Sequence, residues 1–103
     1  MDPLSRLSAT IAARRDADPA TSWVARLHAS GVPLIARKLG EEAVETVVAA
    51  LSGTREELIG EAADTLFHLL VLLDAKGVPL AEVLAELERR EGISGIAEKA
   101  ART

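Results

Sequence analysis

Residues 66–73 of this 103-residue chain are apolar on nearly every side, with His68 as the one polar interruption. A helix of that pattern has no face for water and is normally buried. An acid pair, Glu61 and Asp64, leads directly into it, and a three-residue spacing places both acids on one helix face. Their carboxylates carry a large desolvation cost, and no full positive charge follows before Lys76. The segment therefore predicts a helix packed among other helices, with a bound divalent cation at its acidic edge.

The composition fits such a packing and excludes several kinds of function. Hydrophobic residues make up 49% of the chain but aromatic residues only 2%, so the core is built from Ala, Val, Leu and Ile, which suits closely packed helices. Residues 1–103 are predicted to form a single domain. The lack of cysteine excludes disulfides, zinc–thiolate sites and thiol catalysis. The net charge of −4 offers no basic field for nucleic acid, so no nucleic-acid partner is expected.

No membrane association or targeting is expected from the sequence. The longest apolar stretch, residues 69–73, is far too short to span a bilayer, and the first ten residues have neither a basic start nor a long apolar run. The expected location is the cytoplasm.

Proline, glycine and capping residues divide the chain into helices, and no period-two alternation favours a sheet. The predicted fold is all-α, a bundle built on a central antiparallel hairpin of its two longest helices. The predicted segments are a helix opened by Asp2-Pro3, one opened by Asp18-Pro19 and closed by Gly31, one from Pro33 to about Ser52, one from the capping box Thr54-x-x-Glu57 to Lys76, one from Pro79 to Arg90, and a weakly helical tail over residues 94–103.

The first of the two long helices also carries an acidic stripe. At 100° per residue, one side presents Lys38, Glu41, Glu42, Glu45 and Ala49, and the other presents Val44, Val47, Val48 and Leu51. Taken alone, this is an ordinary amphipathic helix with a solvated face, on which Lys38 pairs with Glu42.

Packing the two long helices against each other changes that interpretation. An antiparallel hairpin can bring the Glu42 and Glu45 edge against the Glu61 and Asp64 edge, which makes a cluster of four carboxylates. Four like charges repel strongly unless cations neutralise them or some are protonated. Ligands that are all oxygen select Mg²⁺, with Mn²⁺ as a possible substitute, and Mg²⁺ held by carboxylates commonly handles phosphates.

Phosphoryl transfer to water needs positioning and charge neutralisation, and one carboxylate to accept a proton. Glu41 and Glu45 are the two candidates for that catalytic role, and the sequence does not choose between them. His68 is interpreted as a structural histidine at the edge of the core. Trp23 could stack on an aromatic ring of a ligand, but a core position is favoured. The pairs Arg14-Arg15 and Arg89-Arg90 are interpreted as solvated helix ends.

Three stretches, KLGEEAVE at 38–45, EAADTLFHLLVLL at 61–73 and the tail SGIAEKAAR at 94–102, resemble the phosphoribosyl-ATP pyrophosphohydrolase family. The likeness begins at SWVARL, residues 22–27, and covers most of the chain. The acid pattern alone is less specific, since E-x-x-E followed by E-x-x-D marks the wider all-α nucleotide pyrophosphohydrolase superfamily, including MazG-like housecleaning enzymes. The tail and the GEEAVE context favour the histidine-biosynthesis family, in its free-standing form.

The resemblance implies Mg²⁺-dependent hydrolysis of phosphoribosyl-ATP between its α and β phosphates, the second step of histidine biosynthesis, giving phosphoribosyl-AMP and pyrophosphate. Carried over by position, the metal ligands are Glu42, Glu45, Glu61 and Asp64. Glu41 lies beside them and would act behind the ligands or on an activating water. Trp23 and Arg26 stand where the family pattern leads us to expect Tyr and Lys. Arg in place of Lys keeps the positive charge but changes the geometry of the contact that it makes.

Four cations are candidates for binding the substrate's phosphates: Arg26, Lys38, Lys99 and Arg102. Each also has a plain interpretation as a surface charge.

A homodimer is expected because one short bundle cannot easily cover every side of residues 66–73, and the resemblance implies a dimer as well.

Two other functions stay open from the sequence. One is a MazG-like nucleoside triphosphate pyrophosphatase that uses the same acids on another nucleotide. The other is a non-catalytic helical dimerisation module whose acids only solvate its surface.

Overall fold

The computed structural model describes residues 2–102, which form helices joined by short turns with no strand among them. The predicted all-α class is confirmed. The helices are α1 (Pro3–Ala13), α2 (Trp23–Ser30), α3 (Val32–Ser52), α4 (Arg55–Ala75), α5 (Leu80–Arg89) and α6 (Gly95–Arg102). The predicted bounds agree to within a residue or two for every helix but α2. Residues 1 and 103 of the predicted single domain lie outside the described range, so that extent stays a prediction.

The capping residues predicted from the sequence for α1 and α4 are found at the ends of these helices. The Asp2 carboxylate accepts a hydrogen bond from the Ser5 backbone N–H at 2.9 Å, which opens α1. The Thr54 hydroxyl accepts one from the Glu57 N–H at 3.1 Å, which opens α4. Gly77, with φ of +69°, follows the C-terminus of α4, where a residue with a Cβ would be strained.

The predicted start of α2 at Asp18-Pro19 is wrong, because the helix begins at Trp23. Asp18 instead closes a turn: its side chain accepts from the Ala20 N–H at 2.9 Å, and its carbonyl accepts from the Ser22 N–H at 2.9 Å. The cap is Ser22, whose hydroxyl accepts from the Ala25 N–H at 3.2 Å. Asp and Ser are both good helix caps, and Asp18 is already used by its own turn.

The two long helices form the predicted antiparallel hairpin, and the half of it near the connecting turn is joined by a polar seam. The hydroxyl oxygens of Thr46 on α3 and Thr65 on α4 lie 2.8 Å apart. Each also lies 2.9 Å from the carbonyl oxygen one turn earlier on its own helix. Ala49, 6% exposed, continues the seam with a small side chain that lets the backbones approach.

The hydrophobic core lies at the other half of the hairpin, where α1 and α2 pack against it. The buried apolar cluster consists of Ile11, Val24, Leu27, Ile35, Leu70 and Val71. The apolar run of α4 is thus largely covered within one chain: Leu70 and Val71 are buried, while Phe67, Leu72 and Leu73 are half-buried against the cluster.

Within residues 2–102, exposed apolar side chains are most numerous on α3, although Ile59 and Leu66 of α4 and Leu84 and Leu87 of α5 are exposed as well. Val44, Val47, Val48 and Leu51 are 54–83% exposed. The side of α3 that meets α4 carries Glu42, Thr46 and Ala49 instead. The helix taken alone predicted a solvated acidic face, but in the hairpin the side that carries Glu42 meets α4 instead. We call this exposed surface the valine face of α3.

An ion-pair network ties α1 and α2 to the C-terminal end of α4. The Arg15 guanidinium donates two hydrogen bonds to Asp74, at 2.7 and 2.9 Å, and the His28 ring nitrogen Nε2 lies 2.9 Å from the same carboxylate. Arg15 and Arg89 are about half-exposed, as expected of solvated helix ends, but each also has ion-pair partners that the sequence did not predict. Arg89 pairs with Glu86 and Glu98.

Loss of the Asp74 charge should destabilise the fold. Asp74→Asn removes the acceptor that joins three helices, so the free energy of unfolding should fall by about 1–3 kcal/mol, as measured by urea denaturation. A hydrogen bond from Arg15 holds the pKa of Asp74 below its ordinary value of 3.8. The contribution of the Asp74 carboxylate to the free energy of unfolding is therefore present above pH 3.8 and is lost as pH falls through the lowered pKa of the folded state.

The exposed Glu88→Gln on α5 is the matched control and should leave the midpoint unchanged. Equal stability of the two variants at neutral pH would contradict this role of Asp74.

Candidate active site

Three carboxylates from α3 and α4 meet at the acidic half of the hairpin. Glu42 and Glu45 lie one turn apart on α3, and Glu61 reaches them from α4. Each offers an oxygen, and these oxygens all lie within 4.8 Å of one another. Glu42 and Glu61 are half-buried while Glu45 is exposed, so one side of the group is open to solvent. We call these three residues the acid cluster.

Crowding of like charges shifts the protonation of the acid cluster. Hydrogen bonding to Glu45, burial and the proximity of Glu42 raise the pKa of Glu61 from 4.5 to about 7. The pKa of Glu42 is also raised, first by burial and then by its proximity to Glu45 and by the charge of Asp64. Carboxylates held at such separations need either a shared proton or a cation.

The acid cluster has the donor set of a hard divalent cation. The oxygens Glu42 Oε2 and Glu61 Oε2 are buried and have no hydrogen-bond partner within residues 2–102. Buried acceptors without partners are costly, and a cation among them would satisfy both. Oxygen-only ligands suit Mg²⁺ or Mn²⁺ rather than softer metals. The residues present therefore fit the expected metal.

Asp64 stands one turn beyond Glu61, is exposed and does not belong to the acid cluster. Its charge still raises the pKa of Glu42, which places it near the group. Its part as a fourth ligand stays a prediction.

The two candidate proton acceptors lie in different surroundings. Glu45 belongs to the acid cluster and is open to water. Glu41 is 54% exposed and lies 4.0 Å from the Arg37 guanidinium, one turn earlier on α3. It is not a member of the cluster.

His68 has the environment expected of a structural histidine. It is 6% exposed, and its Nδ1 lies 2.8 Å from the Asp64 carbonyl oxygen, to which a protonated Nδ1 donates. Its Nε2 is buried without a hydrogen-bond partner within the described chain.

One of the predicted phosphate-binding cations lies beside Trp23. The Nζ of Lys38, which is half-buried, lies 5.9 Å from the centroid of the Trp23 ring. Arg26 follows Trp23 by three residues on α2, is exposed, and donates from Nε to the Pro19 carbonyl at 3.1 Å. The favoured core position for Trp23 is wrong, because the side chain is 49% exposed: α2 turns Val24 and Leu27 inward instead.

The other two cations belong to the tail, which ion pairs join to α5. Arg102 lies 3.8 Å from Glu98, and Glu98 accepts a hydrogen bond from Arg89 at 2.8 Å. Lys99 is exposed. The contacts of Arg102 thus lie within the tail rather than at the acid cluster, and binding of phosphate by either residue stays a prediction.

Fold and site together define an all-α protein that presents carboxylates from two antiparallel helices towards one point, as a centre for a hard metal ion requires. Comparison with known families identifies the family within this class. The family profile described as phosphoribosyl-ATP pyrophosphohydrolase matches residues 4–91. The chain belongs to the phosphoribosyl-ATP pyrophosphohydrolase family.

Relatives of nearly the same length support this assignment. The phosphoribosyl-ATP pyrophosphatase of Erythrobacter litoralis is 67% identical over 102 residues, which cover 99% of this chain and 98% of the relative. That of Rhizorhabdus wittichii is 69% identical over 99 residues, 96% and 93% of the two chains, and that of Dinoroseobacter shibae is 63% identical over 102 residues, 99% and 100%. The predicted family and the predicted hydrolase class are confirmed. The family profile stops short of the tail, whose likeness rests on these relatives.

The raised pKa of Glu61 predicts an unusual pH dependence of the metal-free protein. The folded state keeps a proton that the unfolded state releases near 4.5, so between about pH 4.5 and 7 the folded state binds more protons. The melting temperature in the presence of a chelator should therefore fall as pH rises through that window.

Glu61→Gln should remove this fall, and Glu56→Gln, an exposed acid on the same helix, should retain it. The same decline in wild type and Glu61→Gln would contradict the assignment.

Proposed function

We propose that this chain hydrolyses phosphoribosyl-ATP between its α and β phosphates, giving phosphoribosyl-AMP and pyrophosphate, and that Mg²⁺ held by the acid cluster and Asp64 is required. The two buried oxygens without partners, on Glu42 and Glu61, carry the metal part of the proposal. Membership of the family and the names of the relatives support the reaction. The reaction is the second step of histidine biosynthesis.

Mg²⁺, or Mn²⁺ in its place, supplies a Lewis acid that offsets charge on the phosphates. The protein's part is to hold the acids on two packed helices, which fixes their separation better than loops would. Lys38, beside the Trp23 ring, and Arg26, which is exposed on α2, would meet the remaining phosphate charge. Lys99 and Arg102 would join them only if the tail closed over the substrate.

Glu45 is better placed than Glu41 to accept the proton of the attacking water. Its carboxylate is in the acid cluster and is open to solvent, so a water molecule can lie against it. Glu41 is partnered by Arg37 and lies outside the cluster. Proton transfer by a positioned carboxylate requires hydrogen-bond reach of the water, which Glu45 provides at the cluster.

The valine face supports the proposed homodimer. An exposed row of aliphatic side chains along α3 is larger than scattered apolar residues on a monomer and is typical of an interface. Pairing two hairpins through this face would cover it.

Residues 1–103 would act as one domain per subunit. No helix within residues 2–102 has the length and apolar character to cross a membrane, and we propose a cytoplasmic location.

Release of pyrophosphate tests the function. Wild type should release it from phosphoribosyl-ATP in the presence of Mg²⁺, far faster than from ATP or deoxynucleoside triphosphates, and a chelator should abolish the reaction. Glu42→Gln and Glu61→Gln should lose about 100-fold or more in kcat, because loss of residues that only orient metal ligands already costs about 10–100-fold. Glu56→Gln is the matched control.

Activity confined to ordinary triphosphates would instead indicate the MazG-like pyrophosphatase. No activity on any nucleotide, together with no change in melting temperature on adding Mg²⁺, would indicate the non-catalytic module.

Sedimentation should show a dimer that depends on the valine face. The double variant Val47→Glu, Leu51→Glu places charges on this face and should sediment as a monomer, because an unpaired charge in an apolar interface is costly. Ala85→Glu, an exposed substitution on α5, should stay dimeric. A monomeric wild type at micromolar concentration would contradict the proposal.

A further inference from the structure

The indole of Trp23 lies beside Lys38, one of the predicted phosphate-binding cations, and it is 49% exposed. Trp is large but usually well covered, so an exposed Trp beside a polar site is informative. Local packing accounts for its orientation, since α2 buries Val24, Ala25 and Leu27. Within residues 2–102, nothing covers the outer part of the ring.

A cation lies at this ring and links it to the acid cluster. The Lys38 Nζ lies 5.9 Å from the ring centroid, within range of a cation–π interaction. Lys38 is four residues before Glu42, so the two share one side of α3. Arg26 follows Trp23 by three residues and shares its side of α2. Along this side of α3, the surface therefore carries Glu42 of the acid cluster and, one turn earlier, Lys38, whose ammonium lies beside the Trp23 indole.

The order of groups along this surface matches the order of groups in a nucleotide. Glu42 of the acid cluster comes first, Lys38 follows one helical turn away on α3, about 5.4 Å along the axis, and the indole lies beside the Lys38 ammonium. A nucleotide bound by its phosphates at the acids and Lys38 would bring its base to the exposed part of the ring. Aromatic side chains bind bases by stacking because every base has a π face.

We propose that Trp23 is the base-binding residue of this site, with the adenine ring of the nucleotide stacked on the exposed part of its indole and Lys38 between the base and the metal-binding acids. This inference rests on the proposed function, because it takes a nucleotide as the ligand. It assigns specificity for the base to α2, whereas the chemistry belongs to α3 and α4.

Trp23 is the only Trp of the chain, which also has no Tyr, so the intrinsic emission reports this position alone. In the presence of Mg²⁺, titration with AMP should quench the emission of wild type and saturate. Ribose 5-phosphate and pyrophosphate, which lack a base, should leave the emission nearly unchanged and should compete with AMP. Equal quenching by the ligands without a base would overturn the inference. So would an emission in the free protein that is already blue-shifted and shielded from acrylamide, because a second copy would then cover the ring.

Kinetics of variants provide the second measurement. Trp23→Leu should raise KM for phosphoribosyl-ATP by about 5- to 100-fold, the range for loss of one stacked base, with a smaller effect on kcat. Trp23→Phe should restore most of the affinity because it restores a stacking surface. Leu87→Ala, at another exposed apolar position, is the matched control.

The outcomes separate the two proposals. Hydrolysis of phosphoribosyl-ATP by wild type with an unchanged KM in Trp23→Leu would overturn the inference and leave the function standing. Saturable quenching by AMP in a protein that does not hydrolyse phosphoribosyl-ATP would support base binding and overturn the function.

Discussion

Repulsion among the three carboxylates of the acid cluster is the constraint around which the hairpin is arranged. Oxygens from Glu42, Glu45 and Glu61 lie within 4.8 Å of one another, and Oε2 of Glu42 and Oε2 of Glu61 are buried without a hydrogen-bond partner in the described part of the chain. In the absence of a cation, the protein answers this repulsion by holding a proton, which is why the pKa of Glu61 reaches about 7. The site is therefore a local source of instability that a divalent cation can relieve, and binding the cation would stabilise the folded state by mass action.

Two kinds of contact, one in each half of the hairpin, stabilise the packed helices and offset this instability. The half near the connecting turn carries acids, the Thr46–Thr65 hydroxyl pair and Ala49. The other half is covered by α1 and α2 through the apolar cluster, and Asp74 fixes both helices to α4 through Arg15 and His28. Packing at one end thus holds the helices at the spacing that the acids need at the other. The carboxylates of the acid cluster therefore project from packed helices rather than from loops.

Many local features could be predicted from the sequence because they depend on neighbours in the chain. Asp2 and Thr54 cap helices as their positions indicate, and Glu42 and Glu45 fall on one side of α3 by their spacing. The start of α2 was mispredicted because Asp18 and Ser22 can both cap, and only the turn around Asp18 decides between them. The partner of Arg15 could not be predicted, since Asp74 is distant in sequence and approaches only through packing. Trp23 was expected in the core on its size alone, although its position on α2 relative to Val24 and Leu27 leaves it outside.

By itself, the sequence determined that the chain is all-α, where most helices begin and end, and that Glu42 and Glu45 share one side of α3. Those properties follow from spacing of about four residues or less and from capping. Only the tertiary structure decided which side of α3 faces α4. Periodicity gives two opposite sides, and hydrophobicity alone favours burying the valines. The packed hairpin buries Glu42, Thr46 and Ala49 instead, because small and polar side chains allow the close approach that joins α3 to α4, and the valine face is left for another surface.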